Sequence, residues 1–130
     1  MSTLLLDTHA LVWAVSRPDR LSDRARSAIA DPVNHLIVSA ASAWELSTKV
    51  RLGRFSEAEP LVAQYPSIVA ELGAEALPIT DRHALRAGAL GWDHRNPFDR
   101  MIAAQALLEH ATLVTRDGAY AALGGLDTLW

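Results

Sequence analysis

Cysteine is absent from this chain of 130 residues, and its absence excludes several classes of site. Disulfides, thiolate zinc sites, iron–sulfur clusters and cysteine nucleophiles all require it. Long apolar runs are also absent, since none approaches the roughly 20 residues that span a bilayer. The N-terminus reaches Asp7 without a basic leader, which is unlike a secretion signal. These absences predict a cytoplasmic protein that does not associate with membranes.

Several motifs of familiar enzymes are missing too. There is no Gly-x-Gly-x-x-Gly segment and no Walker loop, which argues against a nucleotide cofactor. The Gly-x-Ser-x-Gly elbow of serine hydrolases and the His-Glu-x-x-His zinc motif are absent. The segment Asp7-Thr8-His9 lacks the second acid, two positions on, that aspartyl phosphatases use. Any catalytic site must therefore be built from other residues.

Lysine is scarce, because eleven of the twelve basic residues are arginine and Lys49 is the only lysine. Arginine binds phosphate in a bidentate manner, although a biased genome composition explains its excess equally well. The fifteen acids give a net charge of −3, which is not the strongly basic balance of a wide nucleic-acid-binding surface. The length and the 50% hydrophobic content predict one globular domain over residues 1–130.

Predicted strands and helices alternate along the chain. Short apolar runs predict strands over 3–6, 35–39, 76–80, 112–115 and 126–129. Helices are predicted over 10–16, 22–30, 40–52, 58–72 with an interruption at Pro66, 81–90 and 97–110. The strands do not alternate polar with apolar residues, as expected where both faces of a parallel sheet are buried. The fold class is therefore α/β, a short, mainly parallel sheet flanked by helices in three layers.

Four acids fall at one edge of this predicted sheet. Asp7 ends the first strand, Glu45 lies in the first turns of the next helix, and Asp117 follows the strand over 112–115. Asp99 opens a helix that returns between parallel strands, so it begins at the same carboxyl edge. Each acid alone has a structural explanation: Asp7 and Asp117 as caps, Glu45 in a capping box from Ser42, and Asp99 as an acid in the first turn of a helix capped by Asn96. Their joint placement instead favours a ligand site.

A cluster of carboxylates predicts a bound divalent cation. Clustered carboxylates repel one another unless a cation is present. Oxygen ligands without cysteine suit Mg²⁺ or Mn²⁺. Such ions polarise phosphoryl oxygens and activate bound water, so the natural reaction is hydrolysis of a phosphodiester. The spacing of the acids alone does not separate a nuclease from a phosphatase.

Around these acids the sequence resembles the PIN-domain family, and within it the VapC-type toxins of bacterial toxin–antitoxin pairs. Five segments carry the resemblance, and they occur in the family's order. They are LLLDTHALVW (4–13), SAASAWEL (39–46), KVRLG (49–53), HRNPFDRMIAAQA (94–106) and TLVTRD (112–117). Asn96 stands where many relatives carry aspartate, and asparagine caps a helix equally well. The segment 54–80 carries no family motif.

The resemblance implies a PIN-like α/β/α domain with Mg²⁺- or Mn²⁺-dependent ribonuclease activity. It assigns Asp7 and Asp99 as principal metal ligands, with Glu45 and Asp117 completing the ligand set or positioning water. Thr8 and Thr115 could hydrogen-bond these carboxylates. It also implies an RNA substrate, a cognate antitoxin and a homodimer. Three arginines flank two of the acids, and one or more is expected to hold the RNA backbone; they are Arg95, Arg100 and Arg116.

The favoured interpretation is a metal-dependent endoribonuclease that acts as the toxin of a toxin–antitoxin pair. One alternative is a module that binds RNA or a partner without cleavage. Another is a metal-dependent DNA nuclease or phosphatase on the same acids. Among the tryptophans, Trp92 in a glycine-containing loop is expected to be exposed, whereas Trp44 in an apolar helix is expected to pack in the core or a dimer.

Overall fold

The computed structural model describes residues 1–130 and contains one five-stranded sheet, in the order β3–β2–β1–β4–β5 with every pair parallel. The strands are β1 Thr3–Leu6, β2 His35–Ser39, β3 Ala74–Leu77, β4 Thr112–Val114 and β5 Thr128–Leu129. The helices are α1 Thr8–Ser16, α2 Asp23–Ala30, α3 Ala40–Arg51, α4 Glu59–Ala63, α5 Tyr65–Leu72, α6 Asp81–Ala89 and α7 Pro97–Leu108. Short 3₁₀ turns cover Pro18–Arg20, Ser56–Ala58 and Gly118–Ala122.

The sheet is buried on both faces, which confirms the predicted three-layer α/β/α arrangement. In β1, Leu4 and Leu6 pack into one apolar core, whereas Leu5 packs into the other. The first core is completed largely by α1 and α5, and the second largely by α7. Successive side chains of a strand point to opposite faces, so a strand between two cores must be apolar throughout. That is the pattern of the leucine run in β1.

The third strand begins two residues before the predicted span of 76–80 and ends three residues before the end of that span. Gly73 takes the left-handed conformation, with φ of 82°, and ends α5 immediately before Ala74. The strand can therefore begin at once. Pro78 lacks an N–H and cannot donate to a strand ladder, and β3 ends just before it. The predicted strand included Pro78, whereas in the structure Pro78 lies just after the strand.

The predicted helix over 58–72 is two helices, α4 and α5. Gln64 stands between them with a non-helical backbone, and Pro66 occupies the first turn of α5. Proline is tolerated there because its missing N–H would have no intrahelical partner. The interruption predicted at Pro66 is thus confirmed, and the break lies just before it.

The acid-bearing helix α7 runs through the molecule beside the sheet. Five consecutive residues, Ile102–Ala106, are buried, as its nearly all-round apolar sequence predicts. Its N-terminus is capped by Asn96, whose Oδ1 accepts from the Phe98 and Asp99 N–H groups. The cap fixes where the helix begins and so places Asp99 in its first turn. None of the chain's helices combines the length and apolar character needed to cross a membrane.

Candidate active site

Asp7 connects the end of β1 to the start of α1. Its Oδ1 accepts from the Ala10 N–H at 2.8 Å and thereby caps the helix. Its Oδ2 accepts from the Thr115 hydroxyl at 2.6 Å. The residue is only 9% exposed, and burial raises the pKa of Asp7 above its ordinary value, with a smaller contribution from the charge of Asp99. The two hydrogen bonds and the charge of His9 oppose that rise.

Glu45 has both carboxylate oxygens occupied by protein partners. Oε1 accepts from the Thr8 hydroxyl at 2.6 Å, and Oε2 accepts from the Lys49 ammonium at 2.7 Å. Because Thr8 donates its only hydroxyl proton to Glu45, it accepts a hydrogen bond from the Ser42 hydroxyl, at 3.0 Å. The Glu45 side chain is 5% exposed. It is therefore a buried carboxylate held in one orientation from both sides.

Asp99 is paired with His94, which precedes it by five residues. The His94 Nε2 lies 2.7 Å from the Asp99 Oδ2. The imidazole also stacks on the Trp92 indole, with ring centroids 4.6 Å apart and planes 17° apart. Tyr120 lies behind this pair, and burial raises the pKa of Tyr120 far above its ordinary value, followed by the negative charges of Asp99 and Asp7. Its hydroxyl therefore stays protonated beside the acids.

Asp117 lies at the exposed side of the group. Its Oδ1 accepts from the Ala119 N–H at 2.9 Å and caps the 3₁₀ turn Gly118–Ala122. Its own N–H donates to the Thr115 Oγ1 at 3.0 Å, while the Thr115 hydroxyl donates to Asp7. Thr115 thus links two acids that lie 110 positions apart in the sequence.

The structure brings all four acids to one small cavity at the carboxyl edge of the sheet. The cavity has a volume of about 140 Å³ and is lined by Asp7, Thr8, His9, Glu45, Lys49, Asn96, Asp99, Asp117 and Tyr120. No three carboxylate or imidazole groups converge on a common point with their side chains as they stand. Each acid is instead turned toward a hydrogen-bonding partner within the protein.

The capping interpretation is right for two of the acids and wrong for Glu45. Asp7 and Asp117 do cap the elements that follow them. The cap of α3, however, is Ser39, whose Oγ accepts from the Ala41 N–H, so the capping box predicted from Ser42 to Glu45 does not form. A cap uses one oxygen of a carboxylate, so capping does not remove Asp7 or Asp117 from the cavity.

The donor set fits a hard divalent cation. Carboxylate, hydroxyl and amide oxygens dominate the cavity, as Mg²⁺ and Mn²⁺ prefer. The raised pKa of Asp7 shows that its buried charge is only partly compensated by the protein. A cation beside Asp7 and Asp99 would remove that cost.

The three arginines expected to contact RNA have different environments. Arg100 has no N–H donor free to bind RNA. Its five N–H groups all donate to backbone carbonyls, those of Ala87, Gly88, Leu90, Trp92 and His94. We therefore correct the expectation for Arg100, whose guanidinium organises the loop before α7. Arg95 and Arg116 are exposed. Arg116 lines a second cavity of about 470 Å³ together with Asp7, His9, Trp13, Asp117 and Gly118.

Trp92, expected to be exposed, is half-buried, and Trp44 lies outside the core, which leaves packing in a dimer as its open alternative. Trp44 is 63% exposed and meets Phe98 edge-on, with ring centroids 4.8 Å apart. Trp92 is half-buried between His94 and Tyr120. The reason is that α3 turns Ala41 and Leu46 inward, so Trp44 faces out, whereas the loop containing Trp92 is drawn onto the core by Arg100.

Sequence reasoning missed Lys49 and Tyr120 as residues of the cavity. Lys49 carried a usable signal, because it lies four residues after Glu45 and such pairs meet on one helix face. Tyr120 carried none, since it lies in a short 3₁₀ turn with no periodic pattern.

Comparisons with known proteins agree with the fold. The family model described as PIN domain matches residues 4–126. Ribonuclease VapC22 from Mycobacterium tuberculosis is 33% identical over 118 residues, which are 90% of this chain and 88% of that protein. Ribonuclease VapC16 from the same organism is 30% identical over 69 residues, which are 53% of this chain and 49% of that protein.

Solved structures share the fold over nearly the whole length. VapBC2 from Rickettsia felis, bound to a DNA fragment from its promoter, has a TM-score of 0.70 at 21% identity and covers 98% of this chain and 97% of its own. DNA-bound VapBC from Salmonella typhimurium has a TM-score of 0.69 at 18% identity, over 99% and 98%. The family model and the relative matched over most of its length establish that this chain belongs to the PIN-domain family.

Proposed function

We propose that the protein is a metal-dependent endoribonuclease and the toxin of a toxin–antitoxin pair. The observation that carries the proposal is the cavity at the sheet edge, where Asp7, Glu45, Asp99 and Asp117 meet. Membership of the PIN-domain family and the similarity to Ribonuclease VapC22 support a nuclease in particular. Fold alone would not fix the activity, since one fold carries many functions.

Asp7 and Asp99 are the residues proposed to hold the divalent ion, with Asp117 completing the set or positioning water, and Glu45 lines the same cavity. The ion would supply charge for the phosphoryl oxygens and lower the pKa of bound water. Thr115 keeps the Asp7 carboxylate oriented from one side, while the Ala10 N–H does so from the other. Orientation of this kind reduces the rearrangement needed when substrate binds.

RNA is proposed to approach along the face that bears Arg116. The cavity that Arg116 lines shares Asp7, His9 and Asp117 with the acid cavity, so the two form one continuous depression. An exposed guanidinium beside the acids can bind a backbone phosphate in a bidentate manner. Arg95, exposed just before α7, offers a second such contact. A single RNA strand would then be positioned with one phosphate over the carboxylates.

Two protein partners belong to the same proposal. Several structural relatives are VapBC complexes, and one from Klebsiella pneumoniae is described as a toxin–antitoxin complex. We propose a cognate antitoxin for this chain and a homodimer as its assembly, in the cytoplasm. Trp44, exposed at 63% and packed edge-on against Phe98, is available to either partner.

The first test is cleavage by the purified protein. Mixed single-stranded RNA and DNA are incubated with Mg²⁺, Mn²⁺ or EDTA, and the products are resolved by length. We expect RNA cleavage that requires metal and falls at least about 100-fold in Asp7→Asn, because a cation contributes several kcal/mol to such reactions. Asp127→Asn, which removes an exposed carboxylate outside the cavity, serves as the matched control.

Other outcomes identify the alternatives. Full activity in Asp7→Asn would refute the proposed mechanism. Cleavage of DNA or of phosphomonoesters in preference to RNA would favour the nuclease or phosphatase alternative. Tight RNA binding without cleavage at any metal would favour a binding module.

A further inference from the structure

The chain's only lysine lies in the acid cavity. Lys49 is one of the nine residues that line it, while the other eleven basic residues of the chain are arginine. Its ammonium lies 2.7 Å from the Glu45 Oε2 and makes no other hydrogen bond. An ammonium has three N–H donors, so two remain for another group. Lys49 therefore combines a fixed position with unused donors.

Burial distinguishes the two members of this ion pair. The Glu45 side chain is 5% exposed, whereas the Lys49 side chain is 33% exposed. The second oxygen of Glu45 is already fixed by Thr8, which is itself fixed by Ser42. A ligand entering the cavity thus meets the ammonium more readily than the carboxylate. The arrangement differs from an exposed pair four residues apart on a helix, in which both groups are solvated.

Glu45 is also the acid whose oxygens are least available to a cation. Its partners are a hydroxyl donor and a full positive charge, and a cation on Oε2 would have to displace the ammonium. Asp117 has one oxygen free of any hydrogen bond, and the Asp99 carboxylate has a single hydrogen-bond partner, His94. A cation is therefore expected to bind the aspartates, while Glu45 stays paired with the Lys49 ammonium.

We infer that Lys49 binds an RNA phosphate beside the cleaved bond, and that Glu45 is a positioning residue for Lys49 rather than a metal ligand. This inference rests on the proposed ribonuclease function. It makes Lys49 a substrate-binding residue and Glu45 the residue that positions it. The ammonium of a lysine acts on a phosphate as a point charge and needs no fixed approach angle. Glu45 supplies the missing constraint by holding the ammonium in the cavity.

The first measurement is RNA binding without metal, where no cleavage intervenes. The affinity of a short single-stranded RNA is measured in EDTA over a range of salt concentrations, for the wild type, Lys49→Met and Lys49→Arg. Losing one phosphate contact should flatten the slope of log affinity against log salt by about 0.7. We expect that change in Lys49→Met, and a slope near the wild-type value in Lys49→Arg, which keeps the charge.

Arg51→Met provides the matched control. Arg51 is exposed in the last turn of α3, and its loss changes the net charge of the protein by the same amount. Its salt slope should stay at the wild-type value. A slope in Lys49→Met equal to that of Arg51→Met would overturn the inference.

The second measurement is Mn²⁺ binding in the absence of RNA. The double variant Glu45→Gln/Lys49→Met replaces an ion pair with a neutral pair, so the charge of the cavity is unchanged and no buried carboxylate is left alone. We expect its Mn²⁺ affinity to stay close to that of the wild type, whereas Asp99→Asn should weaken binding more than about tenfold. A comparable loss in the double variant would show that Glu45 is a ligand and overturn its assignment.

These outcomes separate the inference from the proposed function. If the wild type cleaves RNA and Lys49→Met keeps the wild-type salt slope, only the inference fails. If the wild type neither binds nor cleaves RNA, the proposed function fails and the inference with it. Circular dichroism of each variant establishes that the fold is retained, and the double variant provides the comparison if Lys49→Met alone unfolds.

Discussion

At the scale of single residues, Asp7 shows how a structural role and a chemical role share one side chain. One oxygen caps α1 and the other accepts from Thr115, yet burial still raises the pKa of Asp7. In the folded protein the ionised form is therefore less favourable than in the unfolded chain. The negative charge of Asp7, the residue that caps α1, therefore destabilises the folded protein when no cation is bound.

This imbalance predicts a pH-dependent effect of Asp7→Asn on stability. Because the folded-state pKa is raised above 3.8, the stability contributed by Asp7 is fully present below that pH. It is lost as the pH rises through the folded-state pKa. Without metal, Asp7→Asn should therefore gain stability relative to the wild type as the pH rises from about 4, as measured by urea unfolding.

Divalent cations should oppose this relative gain at neutral pH. A cation that binds only the folded wild type stabilises it by mass action, and Asp7→Asn loses that gain. The Asp127→Asn control should follow the wild type under both conditions. A stability difference between Asp7→Asn and the wild type that does not change between about pH 4 and pH 7 without metal would contradict the prediction.

At the scale of elements, the loop before α7 is held by one side chain. Arg100 donates to five carbonyls, of which those of Ala87 and Gly88 lie near the end of α6. The others belong to the loop that carries Trp92 and His94. That loop has no regular structure, so its backbone oxygens need partners from elsewhere. Arg100 supplies them and so places His94 against Asp99.

The contacts of Arg100 predict that even Arg100→Lys disrupts this loop. Lysine offers three donors from one point and cannot reproduce the planar guanidinium. We expect a loss of about 2 kcal/mol or more in the free energy of unfolding, since several carbonyls lose a charged donor. Amide hydrogen exchange across residues 88–96 should accelerate as well.

Arg82→Lys is the matched control for this substitution. Arg82 is exposed on α6 and makes no side-chain hydrogen bond. The prediction fails if Arg100→Lys and Arg82→Lys are equally stable and exchange at equal rates.

At the scale of the whole molecule, the sequence predicts the sheet and the edge on which the acids lie, but not how each acid is held. The ends of strands and the starts of helices are determined by nearby residues. Apolar runs and capping residues therefore predict where Asp7, Asp99 and Asp117 lie. The pairing of Asp99 with His94 depends on an irregular loop, for which no periodicity exists. The exposure of Trp44 depends on which face of α3 packs inward, and small residues on several faces leave that choice to tertiary contacts.

The arrangement also makes the site depend on both ends of the chain. A chain ending at residue 110 would lack β4, β5, Thr115, Asp117 and Tyr120. It would leave β1 as an edge strand and the Asp7 Oδ2 without its donor. We expect such a fragment to show no RNA cleavage and no cooperative unfolding, as measured by near-UV circular dichroism. A fragment with a native-like spectrum would contradict this dependence.

The hydrogen bond from Thr115 to Asp7 joins residues 108 positions apart, and this separation has a consequence for synthesis. A chain emerging from the ribosome exposes Asp7 early, whereas Thr115 and Asp117 follow more than 100 residues later. Domains fold as units once their sequence is available. The four acids can therefore be brought together only after residues 112–117 are available, so the site cannot form on a shorter nascent chain.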